Sequence, residues 1–171
     1  MTTIRRTEES EIPLIAECLA DKSEDFLSQC GYGNRFFTFP VTTEQISGFQ
    51  KSRSEDSLFF TILNGDISIG SVELIKHKNE EAGIAATIAR FLIYDGYRFK
   101  GYGAEALNLI ADYAFNNLGL NKLRLGVFDF NVSALKCYKK AGFIEVNRIP
   151  IERNPSESSE KWIKIDMELI K

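Results

Sequence analysis

The chain has 171 residues, of which 44% are hydrophobic and 26% charged, and its formal net charge is −3. This balance is typical of a folded globular protein and excludes a disordered chain. No apolar run reaches the roughly 18 residues that would indicate a membrane span, and the charged N-terminus lacks the apolar stretch of a secretory signal. We expect one domain, 1–171, in a cytoplasmic protein that binds neither membranes nor nucleic acid.

The cysteine and histidine content limits the chemistry available to the side chains. Cys18, Cys30 and Cys137 are an odd number of cysteines without a CxxC spacing, which argues against a disulfide framework and a zinc site. With His77 as the one histidine, we expect no metal. Residues 94–142 contain seven Lys or Arg and four Asp or Glu, whereas the remainder is acidic. This basic segment suits an anionic ligand, although random surface variation explains it equally well.

The first half of the chain predicts a short strand, two helices and a β-hairpin. Ile12, Ile15 and Leu19 recur at helical spacing, and Pro13 falls in the first turn, where proline is tolerated. Asn64-Gly65 is a strong hairpin signal between two β-rich runs. In chain order we predict a strand at 3–6, helices at 10–20 and 43–53, and strands at 57–63 and 67–76. We expect residues 21–40 to be irregular.

The second half alternates strands and helices. The most regular helical pattern covers 101–118. A second helix, at 132–141, follows Asn131 as its N-cap and ends at Gly142. We predict strands at 83–94, 122–128, 143–148 and 162–170. The order of elements predicts an α/β fold of the α+β type, with a mixed central sheet of about seven strands and helices on both faces.

A glycine-rich segment opens the first of these helices: Arg98-Phe99-Lys100-Gly101-Tyr102-Gly103-Ala104. Glycine lets the main chain approach a ligand, and we expect Gly103 to take a positive φ. Exposed amides and the helix dipole at such an N-terminus form an anion site, to which Arg98 and Lys100 add positive charge. The segment therefore predicts a phosphate or pyrophosphate site, unless its glycines serve only the turn.

Two nucleotide motifs compete for this segment. Gly101-x-Gly103-x-x-Ala106 fits the dinucleotide fingerprint, but residues 95–100 separate it from the preceding predicted strand. Asp129 follows Gly101 by 28 residues, more than the roughly 20 that the acidic residue of the fingerprint requires. The Walker motif GxxxxGK[ST] is absent from the sequence. We therefore expect binding of neither NAD nor ATP.

A second motif, Asn131-x-x-Ala134-x-x-x-Tyr138-x-x-x-Gly142-Phe143, lies on the later helix. Asn131 and Tyr138 are seven residues apart, so two helical turns place both on one face, above the small Ala134. Taken alone, the pattern also fits a capped amphipathic helix with one core tyrosine.

Together the two motifs resemble those of the GNAT superfamily of N-acetyltransferases. In that family [RQ]-x-x-G-x-[GA] is the acetyl-CoA pyrophosphate loop and N-x-x-A-x-x-x-Y-x-x-x-G-F is the later motif, and both stand here without a mismatch. Stretches 70–74, 101–106 and 118–124 look most like the ribosomal-protein and spermidine N-acetyltransferases. The resemblance runs over residues 3–169. It implies transfer of an acetyl group from acetyl-CoA to a primary amine, either a small amine or polyamine or a peptide N-terminus, by direct attack on the thioester.

The resemblance also implies where the cofactor binds. The fourth and fifth strands of the family splay apart, and the thioester arm of acetyl-CoA lies between them. In the fourth strand, the main-chain groups of Phe91, Leu92 and Ile93 would pair with that arm. One amide there would also polarise the thioester carbonyl. Amides of 99–104 would hold the pyrophosphate. Asn131 would bind the arm, and Lys136 or Lys140 would reach the 3′-phosphate.

Tyr138 matches the general-acid tyrosine of the family, which protonates the departing thiolate. The general base stays open. Glu73 interrupts an apolar strand and faces either the cleft or solvent, His77 lies at the end of that strand, and a water chain could replace either. Cys137 adjoins Tyr138 but should point away from the cleft, because neighbouring helical positions face about 100° apart.

The acceptor site should be formed by the irregular segments 21–43 and 151–161. Five aromatic residues of the first segment either line an apolar acceptor pocket or pack helices onto the sheet: Phe26, Tyr32, Phe36, Phe37 and Phe39. The alternative to an enzyme is a non-catalytic acetyl-CoA-binding sensor, although binding alone does not need Tyr138. A homodimer is common in similar proteins, and the sequence leaves the oligomeric state open.

Overall fold

The computed structural model describes residues 1–33, 35–77, 85–151 and 162–171. Within these ranges, strands form one seven-stranded sheet in the order β1-β2-β3-β4-β5-β7-β6. The strands are β1 (Thr2–Arg6), β2 (Ser57–Asn64), β3 (Ile67–His77), β4 (Ala85–Ile93), β5 (Lys122–Phe128), β6 (Ile144–Ile151) and β7 (Trp162–Ile170). Only the neighbours β4 and β5 run parallel. The predicted mixed sheet is confirmed.

The helices of the described residues are α1 (Ile12–Ala20), α2 (Glu24–Gln29), α3 (Thr43–Ser52), α4 (Tyr102–Asp112) and α5 (Val132–Lys140). Side-chain oxygens cap several of them. Thr42 accepts from the amide of Gln45 at the start of α3, and Asn131 accepts from the amide of Ala134 at the start of α5. None of these helices is long and apolar enough to cross a membrane.

Two helical features differ from the prediction. The segment expected to be irregular contains α2, which Ser23 caps by accepting from the amide of Phe26. The helix expected to reach residue 118 changes at Asp112 into a π-helical segment, Tyr113–Asn117. The wider turn lets Tyr113 pack edge-on against Phe60 of β2, with ring centroids 5.0 Å apart. Contacts of this kind depend on the tertiary fold and leave no local pattern in the sequence.

The core consists of two clusters on opposite faces of the sheet. The larger cluster gathers apolar residues of the central strands with α4 and α5, and the smaller one gathers α1, α2 and α3 around Leu92 and Tyr94 of the β4 region. Phe91 and Ile93 pack against the larger cluster. Since successive residues of a strand point to opposite faces, β4 carries helices on both sides, as predicted.

The sheet splays apart between β4 and β5. Among the described residues, these strands pair only through 85–87 and 122–124, although both continue for several residues further. A second irregularity lies between β3 and β4, where Ser71 pairs with Leu92 but Glu73 pairs with Ala89. Strand β4 therefore contains one extra residue, a β-bulge at Arg90, whose φ is +48°. The predicted first residues of this strand, 83–84, lie outside the described residues.

Candidate active site

A cavity of about 320 Å³ opens where β4 and β5 part. It brings together most of the residues that the sequence singled out: Phe91, Ile93, Arg98, Phe99, Gly101, Gly103, Ala104, Asn131, Lys136, Tyr138 and Lys140. Four others do not line it: Glu73, Leu92, Lys100 and Tyr102. The described part of the lining contains cationic side chains but no carboxylate and no imidazole. This composition suits a ligand with an anionic part.

The glycine-rich loop enters α4 through residues with left-handed main chain. Phe99 has a φ of +61° and Gly101, the N-cap of α4, a φ of +94°. The expectation of a positive φ at Gly103 is wrong, because this residue lies within the first turn of α4. The reason for glycine there is space, since a Cβ on Gly103 would lie 2.8 Å from Sγ of Cys137. The amide of Ala104 donates to the carbonyl of Gly101 at 3.1 Å. The amides of Tyr102 and Gly103 precede this first bond of α4 and are available to an anion.

The loop side chains take different directions. Arg98 lines the cavity, and its guanidinium lies 3.3 Å from Asp95 and 5.1 Å from the ring centre of Phe26. Lys100 donates to the carbonyl of Gly96, 2.8 Å away. The hydroxyl of Tyr102 accepts from Nδ2 of Asn64 at 3.0 Å. In this arrangement the side chains of Lys100 and Tyr102 are directed to these partners and do not line the cavity.

Helix α5 forms the opposite wall. Oδ1 of Asn131 accepts from the amide of Ala134 at 3.2 Å, which confirms the predicted cap, and the residue lines the cavity. Lys136 and Lys140 follow one helical turn apart, and both also line the cavity. Two cations on one face of a short helix attract an anionic group.

Tyr138 is 9% exposed and lines the same cavity. Its ring packs against Phe91 of β4 and against Phe143, each with centroids 6.2 Å apart. Burial raises the pKa of its hydroxyl, because a phenolate would lose its hydration there. The hydroxyl is therefore a proton donor throughout the neutral range.

Two cysteines also line the cavity. The expectation that Cys137 points away from it is wrong, since the short α5 crosses close enough to α4 for its Sγ to approach Gly103. Cys30, from the end of α2, was not foreseen, and burial raises the pKa of its thiol to about 11. The helix that places it carries a signal in the sequence, because Ser23 is followed by Glu24 and Asp25, a typical helix start.

The candidate bases lie elsewhere. Glu73 lies in β3 and is fully buried. Its carboxylate accepts from Ser57 at 2.8 Å, from Arg53 at 3.3 Å and from Arg90. His77 shares a hydrogen bond of 2.8 Å with Thr87, at the end of β3 where the splay begins. Neither residue lines the cavity.

The aromatic residues of the expected acceptor segment mainly pack the helices onto the sheet. Tyr32 and Phe37 are buried in the smaller cluster, and Phe26 and Phe39 pack against it. Phe36 is 48% exposed. None of the five lines the described cavity. Of the other expected acceptor segment, residues 152–161 lie outside the described residues.

Comparison with known proteins gives sequence relatives that are acetyltransferases. The chain is 25% identical over 130 residues to the probable N-acetyltransferase YjcK of Bacillus subtilis. The matched region covers 73% of this chain and 71% of that protein. The chain is 31% identical over 105 residues to the acetyltransferase PseH of Campylobacter jejuni, which covers 60% of this chain and 62% of that protein.

Solved structures share the fold at low identity. The spermidine N-acetyltransferase of Vibrio cholerae, in complex with CoA and spermine, superposes with a TM-score of 0.79 at 20% identity and covers 99% of this chain and 95% of that one. The aminoglycoside acetyltransferase AAC(6′)-Ib, in complex with coenzyme A, gives a TM-score of 0.73 at 17% identity over 100% and 95% of the two chains.

The family assignment comes from the sequence itself. The family model of the acetyltransferase (GNAT) domain matches residues 2–144, a range that includes both motifs and the parallel strands between which the cavity opens. The resemblance inferred from those motifs is therefore confirmed, and the chain belongs to the GNAT family of acetyltransferases.

Proposed function

We propose that the chain is an acetyl-CoA-dependent N-acetyltransferase that acts on a primary amine. The observation that supports this most directly is the cavity between β4 and β5, which is lined both by the anion-binding loop and by Tyr138. A long ligand with phosphates at one end and a reactive group at the other would therefore meet the chemistry that each part needs.

The residues of the cavity fit coenzyme A. Gly101 and Gly103 leave the main chain uncovered, and a Cβ at Gly103 would fill space beside Cys137. We propose that amides of 99–104 hold the pyrophosphate and that Arg98 adds charge. We further propose that Asn131 binds the pantetheine arm and that Lys136 or Lys140 holds the 3′-phosphate.

Acetyl-CoA supplies a thioester whose carbonyl carbon accepts the amine. Main-chain groups of β4 pair with the arm that carries it, and an amide among them stabilises the oxyanion that forms during attack; these groups belong to Phe91, Leu92 and Ile93. As the new C–N bond forms and the C–S bond breaks, Tyr138 donates its phenolic proton to the departing sulfur. The nitrogen releases one proton, which restores the phenol through solvent.

We propose water as the base, rather than Glu73 or His77. The oxygens of Glu73 already accept from three donors, and its carboxylate does not reach the cavity. His77 is bound to Thr87 beyond the cavity lining. With no carboxylate or imidazole in the described lining, the amine must reach the thioester already neutral or lose its proton to solvent.

The test is release of free thiol from acetyl-CoA with a panel of amines. Spermine and kanamycin occupy solved members of this fold, so the panel contains a polyamine, an aminoglycoside and a peptide with a free N-terminus. Each amine has its N-acetylated form as a matched control. We expect thiol release with at least one free amine and none with its blocked form. Calorimetric binding of acetyl-CoA without thiol release would instead indicate a binding module, and the absence of both would refute the proposal.

A further inference from the structure

Arg90 occupies a main-chain conformation that its side chain disfavours. Its φ of +48° is left-handed, where a Cβ crowds the adjacent carbonyl and glycine is usual. The residue is the extra one in β4, since two steps along β3 from Ser71 to Glu73 correspond to three along β4 from Leu92 to Ala89. An unfavourable conformation persists only where the surroundings hold it.

The side chain of Arg90 is fixed by its neighbours on several sides, although its Nε is buried without a hydrogen-bond partner. The side chain is 8% exposed, and its Nη1 donates to Oε2 of Glu73, which is fully buried. The guanidinium lies 4.2 Å from the ring centre of Phe49 and 5.3 Å from that of Phe36. A Cβ on Gly31 would lie 3.2 Å from Cγ of Arg90, so a side chain at Gly31 would crowd it. The arginine is held by charge, by aromatic faces and by close packing.

The bulge decides which way the next residues of β4 point. Ile88 belongs to the larger core cluster. By simple alternation Phe91 would point to the opposite face, but the extra residue returns Phe91 and Ile93 to the same face as Ile88. There both line the cavity, while Leu92 enters the smaller cluster. The orientation of the main chain beside the cavity therefore depends on the conformation of Arg90.

We infer that Arg90, clamped by Glu73, is a positioning residue that holds the β4 bulge so that the main chain of 91–93 presents its polar groups to the thioester arm. Arg90 does not line the cavity and acts through the strand. The inference rests on the proposed function, since it assigns a role within that reaction. It also gives the fully buried Glu73 a role other than that of a base.

The test compares three variants with the wild type for kcat, for KM of acetyl-CoA and for hydrogen exchange of the β4 amides. Arg90→Gly accepts the left-handed φ but removes the clamp, Arg90→Lys keeps one charge toward Glu73, and Glu73→Gln keeps the volume but weakens the pair.

For Arg90→Gly we expect kcat per folded molecule to fall about tenfold or more, because small misplacements at a reacting centre are costly. KM for acetyl-CoA should stay within about threefold, since the loop and α5 hold the phosphates. Arg90→Lys should recover part of the loss.

Ile110→Val in α4 is the matched control, because it loosens a fully buried position of the larger core cluster that does not line the cavity. It should lower the melting temperature without changing kcat per folded molecule or exchange in β4. The inference is overturned if Arg90→Gly keeps kcat within about threefold and β4 exchange at the control level. Should that variant not fold, Glu73→Gln decides by the same two readouts. If the wild type itself acetylates no amine, the proposed function fails, and exchange in β4 alone tests the clamp.

Discussion

Tyr138 is both buried in the core and accessible from the cavity. It is buried among Phe91 and Phe143, and it lines a cavity large enough for a ligand. Burial raises the pKa of the phenol, so the residue keeps its proton and cannot serve as a base at neutral pH. The protonated state fits the donor role that the proposed reaction gives to Tyr138.

Tyr138→Phe should separate chemistry from packing. Phenylalanine keeps both ring contacts, so the melting temperature should barely change, whereas the proton donor is lost. We expect kcat to fall by roughly 10²-fold and the affinity for acetyl-CoA to change little. Steady-state kinetics and calorimetry measure the two effects. A kcat within about threefold of the wild type would make Tyr138 a packing residue.

The pH dependence of the reaction follows from the same pKa. Since burial raises the pKa of Tyr138 above its ordinary value, the donor is retained as the pH rises from 6 to 9. Over that range the neutral fraction of a primary amine with a pKa near 10 grows by about tenfold per pH unit. We expect kcat/KM for the amine to rise with that slope and to show no descending limb below about pH 10. A fall between pH 7 and 9 would show that another acid acts.

At the level of single residues, spacing predicted the site better than residue type did. The seven-residue interval between Asn131 and Tyr138 places both in the cavity, as a helical repeat requires. Glu73 was singled out because a carboxylate in an apolar strand is unusual, but its partners, Arg53 and Arg90, lie 20 and 17 residues away. Sequence alone shows that such a charge needs a partner and does not show which partner it finds.

Helices α4 and α5 meet at the entrance to the anion site, and their separation is set by a glycine facing a cysteine. Gly103 permits this approach, since a Cβ there would stand 2.8 Å from Sγ of Cys137. The distance between the loop and α5 thus depends on two small residues.

Gly103→Ala should therefore destabilise the protein despite the better helix propensity of alanine. Overpacking costs about 1–3 kcal/mol, against a helical gain of at most about 1 kcal/mol. In the double variant Gly103→Ala, Cys137→Ala the sulfur is gone while the helical gain remains. Thermal melts should show that Gly103→Ala lowers the melting temperature relative to the wild type. The double variant should show a smaller loss relative to Cys137→Ala. Equal stability of Gly103→Ala and the wild type would mean that Cys137 rotates away freely.

Elements with strong local patterns were predicted almost to the residue. Strands β5 and β7 have the predicted bounds, and α5 begins at its asparagine cap as expected. The bulge in β4 and the π-helical segment after α4 were not foreseen. Both are settled by packing between distant segments, against Glu73 in one case and Phe60 in the other.

At the scale of the whole molecule, the sheet leaves a gap between β4 and β5 that opens into the cavity. The acidic chain carries its basic excess in residues 94–142, which include the loop and α5 on the two sides of that gap. The sequence predicted the separation of β4 and β5 and the acetyltransferase family to which the chain belongs. It could not predict which face each helix covers, because that depends on the pairing order of the strands.

Ligand selectivity should appear as selective stabilisation. A ligand at 100 times its Kd raises the free energy of unfolding by about 2.7 kcal/mol. We expect acetyl-CoA and CoA to raise the melting temperature, and NAD and ATP to leave it unchanged at the same concentrations. A thermal-shift titration with all four decides this. A larger shift with NAD than with CoA would revive the dinucleotide interpretation of the loop.

The short pairing of β4 with β5 has a consequence for the survival of the protein in a cell. In the part of the chain that the structure describes, three residue pairs join the two parts of the sheet along this seam. A ligand that bridges the seam therefore lowers the population of opened molecules that proteases cleave. Thermolysin cleaves some sites only after the sheet opens at this seam. With acetyl-CoA at 100 times its Kd, cleavage at such sites should slow about 100-fold. NAD is the matched control and should leave the rate unchanged. If acetyl-CoA behaves so, the abundance of the protein will follow the supply of its own co-substrate.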